Sequence, residues 1–169
     1  NNDGSVYVSG TTQSTTNIAT IGAFKTTLSA GGADDFFLAR FSATGLRVWS
    51  TYYGGTGAET GGAVVCDLNG NVYLGGSTSS TTGMTTPGSF RPNYSDNEDG
   101  FLVKFDASGS RLWGTYYGGD GTDVVFNISC DTNGNVYFCG LTGSDTGIST
   151  ANSHQAALND AGPSTFNAY

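Results

Sequence analysis

Basic residues are scarce: six Lys and Arg stand singly among 169 residues, against fourteen Asp and Glu, for a net charge of −8. A phosphate backbone needs a clustered basic footprint, so nucleic acid is excluded as a partner, and an anionic membrane surface is disfavoured on the same ground. No apolar run approaches the roughly eighteen residues a membrane-spanning helix needs. The chain starts at Asn1 with neither Met nor a signal peptide, which leads to the expectation of a mature, excised or incomplete piece. The single histidine, His154, has no partner cluster. No His-Glu-x-x-His, Cys-x-x-Cys, Gly-x-Ser-x-Gly or phosphate-loop pattern occurs, so the common metal, acyl-transfer and nucleotide chemistries have no sequence seat. Three cysteines cannot all pair within one chain. Cys66 and Cys130 fall at matching places where an apolar strand position is expected, and are read as buried free thiols.

Proline is nearly absent too, with three residues, while glycine reaches 27, Tyr nine and Phe ten. Leu, Ile, Val and Phe together make only 33 residues, just under the fifth at which disorder becomes a concern. Abundant Gly, Thr, Ser and Asn with many aromatics point instead to short strands joined by tight turns, an all-β chain.

Self-comparison gives the architecture. Trp49-Ser50-Thr51-Tyr52-Tyr53-Gly54-Gly55 returns as Trp113-Gly114-Thr115-Tyr116-Tyr117-Gly118-Gly119, and Asp67-Leu68-Asn69-Gly70-Asn71-Val72-Tyr73 as Asp131-Thr132-Asn133-Gly134-Asn135-Val136-Tyr137, a period of 64 to 66 residues. An earlier copy opens the chain as Asn2-Asp3-Gly4-Ser5-Val6-Tyr7. Between them, Asp35-Phe36-Phe37-Leu38-Ala39-Arg40-Phe41 is matched by Asp99-Gly100-Phe101-Leu102-Val103-Lys104-Phe105, with the alternation of a strand. Each unit then reads as four strands, at 62–66, 71–76, 100–105 and 111–117 in the middle copy. Asn69-Gly70 and Asn133-Gly134 are expected as two-residue type I′ turns. In that register Cys130 faces Tyr137 and Cys139 is only a diagonal neighbour, too poorly placed for a disulfide.

Four antiparallel strands per tandem unit describe a β-propeller blade. The expected fold is therefore part of a β-propeller built from four-stranded antiparallel blades, with about two and a half repeats. The units are 1–53 (partial), 54–117 (complete) and 118–169 (partial), all within one incomplete propeller domain. The ordered set of repeating motifs resembles the SBBP family, the β-propeller repeats of bacterial surface and secreted proteins, and even the linker recurs, Ile18 to Lys25 as Met84 to Arg91. The third copy departs from it, with Asn152 and His154 where Gly and Phe stand earlier. The Thr/Ser/Gly/Asn-rich composition is similar to that of Bacteroidetes-type proteins exported by the type IX route. That resemblance implies a non-enzymatic module of a larger protein at the outer cell surface or in the medium, serving as scaffold, spacer or adhesion surface, with no catalytic residues and no cofactor. Its partners are expected to be other parts of the same larger chain or proteins at the cell surface.

In an up-and-down unit, the long connections and the step to the next unit leave from one end. That end receives ten of the fourteen acids: Asp34, Asp35, Glu59, Asp96, Glu98, Asp99, Asp120, Asp123, Asp145 and Asp160. Loops on a rigid scaffold are where binding usually resides. Asp34, Asp35, Glu59, Asp120, Tyr53 and Tyr117 are therefore the candidate binding face, although acids that merely solvate loops would give the same distribution. The paired carboxylates Asp34-Asp35 and Glu98-Asp99 precede equivalent strands and are read as structural, bonding backbone amides at the strand entry. Asp96, Glu98 and Asp99 form the one oxygen-rich candidate for Ca²⁺, without EF-hand spacing. The alternative function is a carbohydrate- or calcium-binding propeller domain, with Trp49 and Trp113 stacking on sugars rather than packing between units. An isolated fragment with open sheet edges is expected to aggregate or stay loosely folded.

Overall fold

A computed structural model describes residues 3–29, 33–95, 97–157 and 167–168. Every regular element among them is a strand: β1 (Val6–Thr12), β2 (Asp35–Phe41), β3 (Arg47–Tyr53), β4 (Glu59–Cys66), β5 (Val72–Thr78), β6 (Asp99–Phe105), β7 (Arg111–Tyr117), β8 (Asp123–Cys130), β9 (Val136–Thr142) and β10 (Asn167–Ala168). They form three antiparallel sheets, β1-β2-β3, β4-β5-β6-β7 and β8-β9-β10. In repeat terms, β1, β5 and β9 are equivalent second strands, and the middle sheet has all four.

The tight turns differ from the expected type. Asp67 N donates to Asn71 O at 2.9 Å and Gly70 N to Asp67 O at 3.1 Å, so the loop has three residues, with only Gly70 at positive φ (+81°). This is a type I turn closed by a left-handed glycine. The reason lies in the preceding aspartate. One Asp67 carboxylate oxygen accepts from the amides of Asn69 and Asn71, each at 2.9 Å, and the other accepts from Asn71 Nδ2 at 2.7 Å. Asp131 repeats this arrangement. The longer loop shifts the register, so Cys130 faces Val136, and Cys139 faces Asn127. All three thiols are free; Cys66 and Cys130 are half-buried rather than buried, and Cys139 is exposed. The first strand also starts earlier than expected, at Glu59, because the left-handed Gly61 and Gly62 form a bulge inside it.

Two apolar layers lie between the sheets. Phe36, Leu38, Trp49 and Tyr53 meet Val72, Leu74, Phe101, Val103 and Phe105 on one side of the middle sheet. On its other side, Tyr73 and Leu102 meet Val125 and Ile128. Close approach needs glycine in the middle sheet, since a β-carbon at Gly75 would lie 2.7 Å from Ile128 Cδ1. The outward faces of the flanking sheets are uncovered, with Val6 55% exposed and Tyr137 59%. The expectation of aggregation rests on these end faces.

Val6 and Val72 occupy the same position in successive units, yet Val72 is fully buried. Val72→Ala is expected to cost about 2 kcal/mol and Val6→Ala less than about 0.5 kcal/mol, measured by urea unfolding.

Candidate functional site

The long connections gather at one end of the three sheets, where β1, β3, β5, β7 and β9 finish and β2, β4, β6 and β8 begin. Here each unit hands over to the next. The Tyr-Tyr-Gly-Gly strand end makes that passage. Its first tyrosine ties down its own unit: the Tyr52 hydroxyl donates to Ser14 O at 2.6 Å and Tyr116 to Ser80 O at 2.7 Å. Its second reaches forward, Tyr53 to Met84 O at 2.6 Å and Tyr117 to Ile148 O at 3.0 Å. Burial pushes the phenols up, Tyr116 to about 12, so they donate as neutral groups throughout the physiological range.

The two glycines leave room for the next unit. A β-carbon at Gly55 would strike Thr82 O and lie 2.7 Å from Ser80 Cβ, and Gly119 is crowded in the same way by Thr146 O and Ser144. These Gly-Gly pairs are close-packing points, not a nucleotide cradle.

Beside the first glycine of each pair sit two carboxylates with no solvent exposure: Asp35 and Glu59 at the first junction, Asp99 and Asp123 at the second. Lys25 Nζ donates to Asp35 Oδ2 and to Gly54 O, each at 2.8 Å, and to Ser29 Oγ. Ser29 N adds a bond to Asp35 Oδ2 at 3.0 Å, so the strand-entry carboxylate does collect a backbone amide. Glu59 Oε1 accepts from the hydroxyls of Thr78 and Ser80. At the second junction Asp99 accepts from Ser95 N and Oγ, while Asp123 Oδ2 accepts from Gly119 N and Ser144 Oγ, both at 2.7 Å. Burial pushes Glu59 and Asp99 up, against the lowering effect of these hydroxyls, and the neighbouring carboxylate raises each further.

Three of the six candidate binding residues therefore lie inside. Asp35, Glu59 and Tyr53 have no exposure, because they seal the passage between sheets instead of facing outward. Asp34 and Tyr117 are half-buried, and Asp120 is exposed. Of the calcium candidates, Asp96 lies outside the described residues, as does Asp160 of the acidic end. Glu98 Oε1 accepts from the hydroxyls of Thr60 and Ser77, and Asp99 turns inward to the junction. Among the described residues no group of three or more His, Cys, Asp or Glu could hold a metal ion. The sequence contained a signal for the missed partner of the carboxylates: Lys25 and Arg91 are isolated basic residues at one repeat position in an acidic chain.

The connections after β1 and β5 also close the outer edge of each unit. Tyr52 N donates to Lys25 O and Thr20 N to Ser50 O, and Tyr116 N to Arg91 O and Thr86 N to Gly114 O, so the linker runs alongside β3 and β7. Over the first linker the next unit lays its β6-β7 hairpin: Trp49 Nε1 donates to Ala107 O at 2.9 Å and the Arg111 guanidinium sits 4.6 Å over the Phe24 ring. The equivalent place one unit on is an apolar hollow of about 810 Å³ lined by Phe90, Leu102, Leu112, Trp113, Tyr117 and Phe138, with Phe90 75% exposed.

Successive antiparallel sheets, face-packed and joined head to tail through one crowded passage, define a partial β-propeller. Residues 48–83 match the family model of SBBP, a beta-propeller repeat, so the chain carries a repeat of that family. The matched stretch runs from Val48 in β3 through β4 and β5 into the next linker, and so holds the Tyr52-to-Glu59 segment of the first passage but not Lys25, Asp35 or Met84. No curated protein matches the chain.

Lys25 supplies the only cation bonded to the first carboxylate pair among the described residues. Lys25→Met is expected to destabilise the protein by about 3 kcal/mol and Lys25→Arg by clearly less, both read from chemical denaturation at neutral pH.

Proposed function

We propose that this chain is a non-enzymatic extracellular repeat module of a larger surface or secreted bacterial protein, acting as a scaffold whose loop-bearing end contacts protein partners. One observation carries this: the groups with catalytic chemistry, the carboxylates, hydroxyls and tyrosines at the strand ends, are consumed unit by unit in holding one sheet to the next. What remains exposed at that end is the loop residues, among them Asp120 and Asp145. Long-range charge of one sign favours encounter with a basic partner surface more than tight affinity.

The sugar-stacking alternative would use the hollow at Phe90 and Trp113. Its counterpart at Phe24 and Trp49 is overlain by the hairpin of the following unit, which leaves a smaller hollow of about 410 Å³ there and supports packing of a further propeller unit at Phe90 and Trp113. A glycan array probed with this chain is accordingly expected to stay blank, and saturable binding that is lost in Trp113→Ala would restore the alternative.

Two measurements test the main proposal. Protease added to intact producing cells is expected to cleave the parent protein at the surface, or the protein is found in the medium; complete protection inside the cell would refute the extracellular assignment. Replacing Asp34, Asp120 and Asp145 together by Asn is expected to slow capture of a partner and to flatten the salt dependence of the rate. An unchanged rate would remove the acidic end from partner contact.

A further inference from the structure

The first junction holds more negative charge than its partners neutralise. Two carboxylates, Asp35 and Glu59, are fully buried, and one ammonium, Lys25, is bonded to the pair. Asp35 Oδ2 and Glu59 Oε1 have their hydrogen bonds, whereas Asp35 Oδ1 and Glu59 Oε2 have none. Those two unpartnered oxygens converge: a β-carbon placed on Gly54 would collide with Glu59 Oε2 and lie 2.6 Å from Asp35 Oδ1. Two buried acceptors beside one another, each without a donor, would cost desolvation twice over and add like-charge repulsion.

From this geometry we infer that Asp35 and Glu59 hold one proton between them, as a carboxylic acid donating to a carboxylate, and that the proton latches one propeller unit to the next. A single proton turns one acceptor into a donor, so it satisfies both oxygens and removes the excess charge together. A calcium ion takes about six to eight oxygens, whereas only two unpartnered ones converge beside Gly54. The second junction keeps the pair with a shorter acid but not the convergence of unpartnered oxygens: Asp99 Oδ1 and Asp123 Oδ2, nearest Gly118, both accept hydrogen bonds, and only Asp123 Oδ1 is unpartnered. Arg91 there takes the place of Lys25, its guanidinium donating to Gly119 O at 2.9 Å.

The charged and titratable groups facing Glu59 are Asp35 from β2, Lys25 from the connection after β1, Tyr53 from β3 and Tyr116 from β7. Both phenols are held neutral by burial, which leaves Glu59, raised by its burial, as the group whose charge changes above its ordinary range. Burial raises Glu59 above its ordinary value of 4.5. The folded chain therefore keeps a proton that the unfolded chain has released, so the latch is complete below that value and is lost as pH rises through the raised one. The aspartates of the tight turns act in the opposite sense and lower down: Asn135 holds Asp131, and Ser108 holds Asp106, below 3.8.

The test is thermal unfolding of the full chain between pH 4.5 and 8, with Glu59→Gln, which keeps a neutral donor in place, as the comparison. The wild-type melting temperature is expected to fall across this range, with Glu59→Gln showing a shallower fall and the higher value at pH 8. A parallel fall in both, or a variant less stable by the same amount at every pH, would overturn the shared proton. A rise in the wild-type melting temperature with Ca²⁺ at pH 8 that Glu59→Gln lacks would replace the proton by a metal ion. The chain has only two glutamates, Glu59 and Glu98, so carboxyl-carbon NMR of a glutamate-labelled sample reads the pair without a melt. One resonance is expected to titrate well above the usual glutamate range near 4.3 and to vanish in Glu59→Gln; two ordinary titrations would sink the proposal.

Discussion

A sheet whose two faces are both apolar has to be covered twice, and this requirement governs the rest of the molecule. The middle sheet turns Val72, Leu74 and Phe101 to one neighbour and Tyr73 and Leu102 to the other. With both faces taken, polar groups can leave only at the strand ends, so contact between units concentrates there. Glycines stand where the following unit comes closest, at 55, 75 and 119, and hydroxyl and carboxyl groups fill the remaining space. The linkers then take the outer strand of each unit, hydrogen bonding along β3 and β7 instead of leaving their edges bare.

The strands were the most legible part of the sequence, because alternation in Phe37, Ala39 and Phe41 and the recurrence of whole motifs are local properties. Turn geometry was harder. Asn-Gly in isolation favours a two-residue loop, but Asn69-Gly70 lies between Asp67 and Asn71, and the Asp67 carboxylate draws in amides on both sides of the dipeptide. That competition set the register and moved Cys130 from Tyr137 to Val136. Asn152 is the converse case. It stands where the earlier copies have Gly22 and Gly88, and it keeps their left-handed backbone at φ +67°, a conformation asparagine tolerates better than most residues.

The acids show the limit more sharply. Topology correctly gathered them at one end, but nothing local distinguishes Asp120, which faces water, from Asp123, which has no exposure. Burial of Glu59 depends on Asp35 in the preceding unit and on Thr78 and Ser80 after the next strand, contacts that exist only once three segments meet. The repeat itself encodes this, through the recurrence of an acid at the start of each first strand, a basic residue in the first two linkers and Thr-x-Ser at the end of each second strand.

The forward reach of the second tyrosine gives the array a direction in time as well as in space. Tyr53 finds its acceptor 31 residues later, at Met84, and Trp49 finds its own at Ala107, 58 residues on. During synthesis a unit's rim stays unfinished until most of its successor, through Ala107 in the β6-β7 hairpin, has followed it. Assembly is therefore vectorial, each unit being finished by the one that follows it.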